Sequence, residues 1–161
     1  AQNNAAMDSN GNMYIKGGLV YAISKSSPEV ALDANTEEQK KLYVSGGTII
    51  AIGGLESGAS LTQTCYKASS FTKGAWYGLC NNGNLEVAFQ VPSDNSSMGS
   101  PMVVSTSGTP TLFTVNNVSG TSIFNGQAYV DASATKSSTT GVSLSTYTSS
   151  QSGPGGPGGR W

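Results

Sequence analysis

The sequence has no histidine and little charge. Without histidine, the chain cannot form Ser-His-Asp or Cys-His nucleophilic sites or the usual zinc and iron sites. Charged residues make up 11% of the 161 residues, where about 25% is usual, and the formal net charge is -1. The eight Lys and Arg residues are scattered along the chain, so no basic face is available for phosphates. We therefore expect no nucleic-acid partner.

Long apolar runs are also missing. No apolar stretch approaches the roughly 18 residues that span a bilayer, and the chain does not open on a charged region followed by an apolar one. We expect no membrane span in this segment and place any signal or lipid anchor upstream of it.

Cysteine is scarce, and the two cysteines are Cys65 and Cys80. They either pair in a disulfide or remain as two small buried thiols. The low charge together with a candidate disulfide favours an oxidising, extracytoplasmic location.

An internal repeat is the most informative feature that is present. One copy runs from Met7 to Ile23 and the other from Leu32 to Ile52. Each copy reads as an apolar residue, Asp-x-Asn, a short strand, Gly-Gly and a second short strand, and the polar insert 36–41 is expected to form a surface loop. Such repeats indicate a solenoid, in which stacked coils bury their inward side chains and Gly-Gly permits a positive φ at a corner. Two coils are fewer than a solenoid generally needs, so we expect the segment to begin partway through a longer solenoid or to have its open end covered by another chain.

Beyond Ala59 the pattern changes to alternating strands separated by turn residues, which predicts an antiparallel or irregular cap. The predicted strands are Leu85 to Val91, Met102 to Thr106, Thr111 to Val115, Gln127 to Ala132, and a last one within Val142 to Tyr147. We therefore divide the chain into solenoid coils at 1–60, a β-rich C-terminal cap at 61–150 and a Gly/Pro-rich tail at 151–161.

The stretch from Asp8 to Gly18, its partial copy from Asp33 to Gly47 and the Gly/Pro tail resemble a family of bacterial carbohydrate-binding domain-containing proteins. The resemblance covers nearly the whole chain and would represent the C-terminal portion of a typical member. It implies an all-β fold, a right-handed parallel β-helix, at the extracellular surface of a bacterium. It also implies calcium and the binding of acidic, pectin-like polysaccharide.

Four oxygen-bearing side chains fall at equivalent places on the two predicted coils: Asp8, Asn10, Asp33 and Asn35. Hard oxygen ligands brought within a few ångström of one another suit Ca²⁺, which takes 6–8 of them. The alternative is a ladder of Asx turns, in which the same side chains bond backbone N–H groups at the corners.

Aromatic residues are candidate contacts because sugar faces stack on flat rings. Trp76 and Tyr77 are adjacent, so one of them is expected to face outward from an extended segment, while the alternative for Trp76 is a plug over the solenoid end. Tyr14, Tyr21 and Tyr43 alternate with apolar neighbours, and several of them are expected on an outer face, with Tyr14 and Tyr43 as candidate ligand contacts. Trp161 ends the tail and is a candidate docking anchor.

Catalytic features are sparse. The adjacent Glu37 and Glu38 lie in the polar insert beside two lysines, which is typical of a solvated face rather than a glycosidase pair. A polysaccharide lyase needs a basic residue beside the substrate, and only Lys16 and Lys25 lie near the repeat.

The sequence therefore predicts a non-catalytic polysaccharide-binding module, with Ca²⁺ as a candidate ligand. The alternative is a structural or adhesive subunit that assembles through its open solenoid end and its tail, with copies of itself or with a neighbouring surface protein.

Overall fold

A computed structural model describes residues 2–3, 5–25, 29–94 and 97–149. The all-β class is confirmed, because the described residues form strands and a single short 3-10 helix, Thr36–Glu38, within the insert. None of the described segments is a helix long and apolar enough to cross a membrane. The strands are β1 Gln2–Asn3, β2 Met7–Ser9, β3 Met13–Ser24, β4 Leu32–Ala34, β5 Leu42–Ile52, β6 Ser60–Leu61, β7 Tyr66–Ala68, β8 Trp76–Asn81, β9 Asn84–Gln90, β10 Met102–Ser105, β11 Pro110–Ile123, β12 Ala128–Lys136 and β13 Leu144–Thr146.

The two sequence repeats pair with each other in parallel. β2 pairs with β4 so that Asp8 lies opposite Asp33, and β3 pairs with β5 so that Tyr14 lies opposite Tyr43. Equivalent positions of the repeat are therefore neighbours in space, as the sequence echo predicts.

The Gly-Gly pairs produce an irregularity inside β3 and β5, because the register shifts around Lys16. Gly18 and Gly47 have φ of 82° and 93°, which agrees with the positive φ expected there. A β-carbon at Gly46 would collide with the carbonyl oxygen of Lys16, so the two backbones approach too closely for any side chain.

The described residues show no regular stack of parallel coils, because parallel pairing gives way to antiparallel pairing within one sheet. The large sheet has the order β1-β3-β5-β10-β7-β13, and β10 pairs with β5 in the antiparallel sense. After the short parallel strand β6, strands from the predicted cap complete the sheet that the repeats begin. The sheet is therefore mixed, because β10 occupies the edge of β5 where a further full coil would lie.

The remaining long strands form a closed four-stranded antiparallel barrel in the order β11-β12-β9-β8. The antiparallel strands predicted from the alternating pattern are observed here, and their role as a cap stays a prediction. β11 serves two neighbours, since it pairs with β8 through Pro110–Thr114 and with β12 through Val115–Ile123.

Two hydrophobic cores lie on opposite faces of the large sheet. Along β5, Ile49 and Ala51 belong to a core shared with β4, whereas Ile50 and Ile52 belong to a core shared with the barrel. The side chains of β10 are divided between the two cores in the same way, and Val103 belongs to the core shared with β4. A strand buried on both faces reads as a continuous apolar run, which explains Thr48-Ile49-Ile50-Ala51-Ile52.

Candidate functional site

A groove of about 500 Å³ lies where the coil strands meet the barrel, and we call it the Phe124 groove. β3 forms one wall, the turn between β11 and β12 forms another, and the segment after β9 closes it. Its lining residues are Tyr21, Ile23, Pro92, Asp94, Phe124, Asn125 and Gln127. Aromatic and apolar side chains combined with a few polar groups are typical of small-ligand sites.

The turn that carries Phe124 has an uncommon backbone. Phe124, Asn125 and Gly126 have φ of 52°, 55° and 79°, all in the left-handed region. Two backbone hydrogen bonds close the turn, from Gly126 N to Ile123 O at 3.2 Å and from Gln127 N to Phe124 O at 3.1 Å. Asn and Gly adopt this region readily, but for a bulky side chain such as Phe124 it is an outlier that costs about 1–3 kcal/mol.

The Phe124 ring is not fully buried, so burial does not offset the cost of this backbone conformation. It is 47% exposed, one of the few large hydrophobic side chains that are exposed in the described part of the chain. Its ring centroid lies 6.4 Å from that of Tyr21, with the planes tilted by 52°. The strained turn therefore presents an aromatic face at the groove.

Tyr21 anchors the floor of the groove. Its ring contacts Phe89 of the second core at a centroid distance of 5.4 Å, and its hydroxyl donates to the carbonyl oxygen of Gln90 at 2.5 Å. Burial raises the pKa of Tyr21 well above the ordinary 10.0, because the tyrosinate would lose its hydration. The hydroxyl therefore stays protonated and joins β3 to β9.

Three polar side chains complete the groove. Asn125 and Asp94 are exposed and Gln127 is half-buried. Within the described part of the chain, the side-chain amides of Asn125 and Gln127 form no hydrogen bond. Each amide offers both a donor and an acceptor, so the pair is available to a ligand that carries hydroxyl groups.

Tyr14 and Tyr43, predicted as ligand contacts, stack on each other rather than forming an open platform. Their ring centroids are 4.8 Å apart with planes within 9° of parallel. The stack covers one face of Tyr14, and the Lys16 ammonium lies 5.6 Å from its centroid. Tyr14 is 55% exposed and ends the stack in the described structure, so its contact surface is small and lies at the sheet edge.

Trp76 and Tyr77 face opposite ways, as their adjacency predicts. Tyr77 is only 2% exposed, and its hydroxyl accepts a hydrogen bond from Thr72 N at 2.9 Å. Tyr77 is therefore a core residue, and this corrects its prediction as a ligand contact. Trp76 is half-buried against Tyr129, with ring centroids 5.7 Å apart. Neither residue lines the Phe124 groove.

The predicted calcium ligands are only partly brought together. Asp8 and Asp33 are neighbours in the parallel register of β2 and β4. Asn35 instead caps the 3-10 helix, where its Oδ1 accepts from Glu38 N at 3.2 Å, which is the Asx-turn alternative. The described residues contain no group of three or more Asp, Glu, His or Cys side chains that could hold a metal. Calcium binding, including the role of the exposed Asn10, stays a prediction.

The disulfide alternative is not realised, because Cys65 and Cys80 are both free and buried. Cys65 packs in the first core and Cys80 lies on barrel strand β8. Burial raises the pKa of the Cys65 thiol, although a hydrogen bond with Ser105 partly opposes the shift. Both residues fit the small buried thiols of the alternative interpretation. Trp161 lies outside the described residues.

Apart from Tyr21, which is predicted on an outer face, the groove residues lie mostly in turn sequences. Pro92-Ser93-Asp94 and Asn125-Gly126 are turn sequences about thirty residues apart, and a sequence pattern does not show that two turns meet. Phe124 directly before Asn-Gly gives no signal of its own, because hydrophobic residues commonly flank Asn-Gly in hairpins. No protein-family model, curated protein sequence or solved structure matches this chain.

Proposed function

We propose that the chain is a non-catalytic extracellular module that binds polysaccharide in the Phe124 groove. The low charge, the absence of histidine and the richness in Gly, Ser, Thr and Asn support an extracellular binding protein rather than an enzyme. The groove supplies what a glycan needs, namely exposed aromatic surface beside side-chain amides.

The observation that carries the proposal is the backbone of Phe124. A phenylalanine held at φ 52° and left 47% exposed contributes little to stability, and Asn or Gly would fit the turn better. Strained residues of this kind concentrate at ligand sites, where the strain serves to present a side chain. The exposed ring is therefore the surface on which we expect a sugar to stack.

Titration calorimetry of the purified chain against a panel of polysaccharides tests the proposal, with Ca²⁺ and with chelator, while unsaturated products are monitored. We expect saturable binding without products. The Phe124→Asn variant removes the ring and keeps a residue that accepts the left-handed region, so it should lose at least tenfold in affinity. Tyr14→Ala removes an exposed aromatic outside the groove and should bind as the parent does. Equal binding by Phe124→Asn and the parent would contradict the site.

A second candidate function is self-assembly through the sheet edge at β3. Among the described residues, β1 covers only Ile23 and Ser24 of that edge, so Met13 to Tyr21 pair with no strand on their outer side. An edge of this length is a template for strand pairing, although the exposed Lys16 on it is a common device against pairing. The parallel pairs β1–β3, β2–β4, β3–β5 and β5–β6 support the related proposal that this is the end of a right-handed parallel β-helix.

Sedimentation across a range of protein concentrations distinguishes the two functions. Assembly through the β3 edge should weaken in Tyr14→Asp, which places a charge at the end of the tyrosine stack. Tyr14→Asp should keep its glycan affinity, whereas Phe124→Asn should lose glycan affinity and still assemble. A chain that stays monomeric at all concentrations would contradict assembly between copies.

A further inference from the structure

The described lining of the Phe124 groove contains no cation. None of the seven described lining residues is basic, and one of them, Asp94, is a carboxylate. Among these residues, the donors that a ligand would meet are the uncharged side-chain amides of Asn125 and Gln127. The Tyr21 hydroxyl donates instead to the Gln90 carbonyl.

An anionic sugar would find no compensation in such a groove. A uronate carboxylate that enters loses part of its hydration, and only a charged donor such as Arg or Lys replaces that hydration well.

A neutral pyranose fits the same surface. One of its faces carries C–H groups that can pack on the Phe124 ring, and neighbouring hydroxyl groups can pair with an amide that both donates and accepts. The neutral ring itself brings no charge that has to be desolvated.

We propose that the Phe124 groove selects neutral glycans over uronate-containing ones. This inference rests on the proposed polysaccharide function and names its substrate class. It also differs from the acidic, pectin-like ligand that the family resemblance implies.

The test compares oligosaccharide pairs that have the same stereochemistry and linkage and differ only in carboxylation at C6, for example β-1,4-mannan and β-1,4-mannuronan oligomers. Calorimetry at low salt should give at least tenfold tighter binding for the neutral member. At 0.5 M NaCl the affinity for the neutral member should stay within twofold of its low-salt value, because that ligand carries no charge. Uronate binding equal to or tighter than neutral binding, with or without Ca²⁺, would overturn the inference and leave the binding function intact. Binding by no member of any pair would overturn both.

One charge variant keeps the result specific to this groove. Asn125→Asp keeps a side chain that tolerates the left-handed backbone and adds a carboxylate, so it should widen the gap about fivefold or more at low salt. A gap that this variant leaves unchanged would overturn the assignment of the discrimination to this groove.

Discussion

The backbone conformation of Phe124 lowers stability, and its exposed ring is the proposed ligand contact. A substitution at this position can separate the two effects. Replacing it by Asn keeps the turn in a conformation that Asn adopts at lower cost than Phe. We expect Phe124→Asn to raise the free energy of unfolding by about 0.5–1 kcal/mol while glycan affinity falls. Urea denaturation and calorimetry on the same preparation measure both effects. A variant that loses stability as well as affinity would show that Phe124 is a packing residue.

Tyr21 gives a pH signature at the residue scale. Its pKa is raised in the folded chain, so its contribution is complete below the unfolded value of about 10 and is lost as the pH rises above it. We expect the stability of the parent to fall more steeply above pH 10 than that of Tyr21→Phe. At neutral pH the variant should be about 1 kcal/mol less stable, because the Gln90 carbonyl loses its donor. Urea midpoints measured at several pH values check this. Midpoints of the parent and the variant that fall in parallel above pH 10 would contradict it.

At the scale of the elements, the Gly-Gly pairs allow a matched comparison. A β-carbon at Gly46 would meet the Lys16 carbonyl, whereas one at Gly17 would meet nothing within 4 Å. Gly46→Ala should therefore destabilise by about 2 kcal/mol or more, and Gly17→Ala should stay within about 0.5 kcal/mol of the parent. Thermal unfolding of the two variants side by side tests the close approach of β3 and β5. Equal costs would contradict it.

The elements also show how far sequence reasoning reaches here. The repeat predicted the parallel pairing of β3 with β5, and the alternating stretches located β9, β10 and β13 to within two residues at each end. The strands predicted for β11 and β12 end eight and four residues too early. The apolar run of β5 was assigned to a coil with one buried face, and its burial on both faces was missed. Periodicity within one strand cannot reveal that β10, fifty residues later, takes the adjacent place. For the same reason Tyr77 was assigned to a surface that the barrel buries.

For the whole molecule, β5 ties the two cores together, since it contributes Ile49 to one and Ile50 to the other. We expect the coils and the barrel to unfold in one transition rather than as separate domains at 1–60 and 61–150. Trp76 fluorescence in a Trp161→Phe background reports the barrel, and Cys65 labelling in a Cys80→Ser background reports the first core. The two midpoints in urea should coincide, and separated midpoints would support independent domains.

The Phe124 groove draws its walls from both parts of the molecule, with Tyr21 on the coil side and Phe124 on the barrel side. A polymer bound there would transmit a pulling force to both parts of the molecule at once. The hydrogen bond from Tyr21 to the Gln90 carbonyl joins those two parts at the groove. Tension on the bound polymer would therefore be shared between the coils and the barrel instead of pulling a single strand out of its sheet. This arrangement suits the holding of a long polymer under flow.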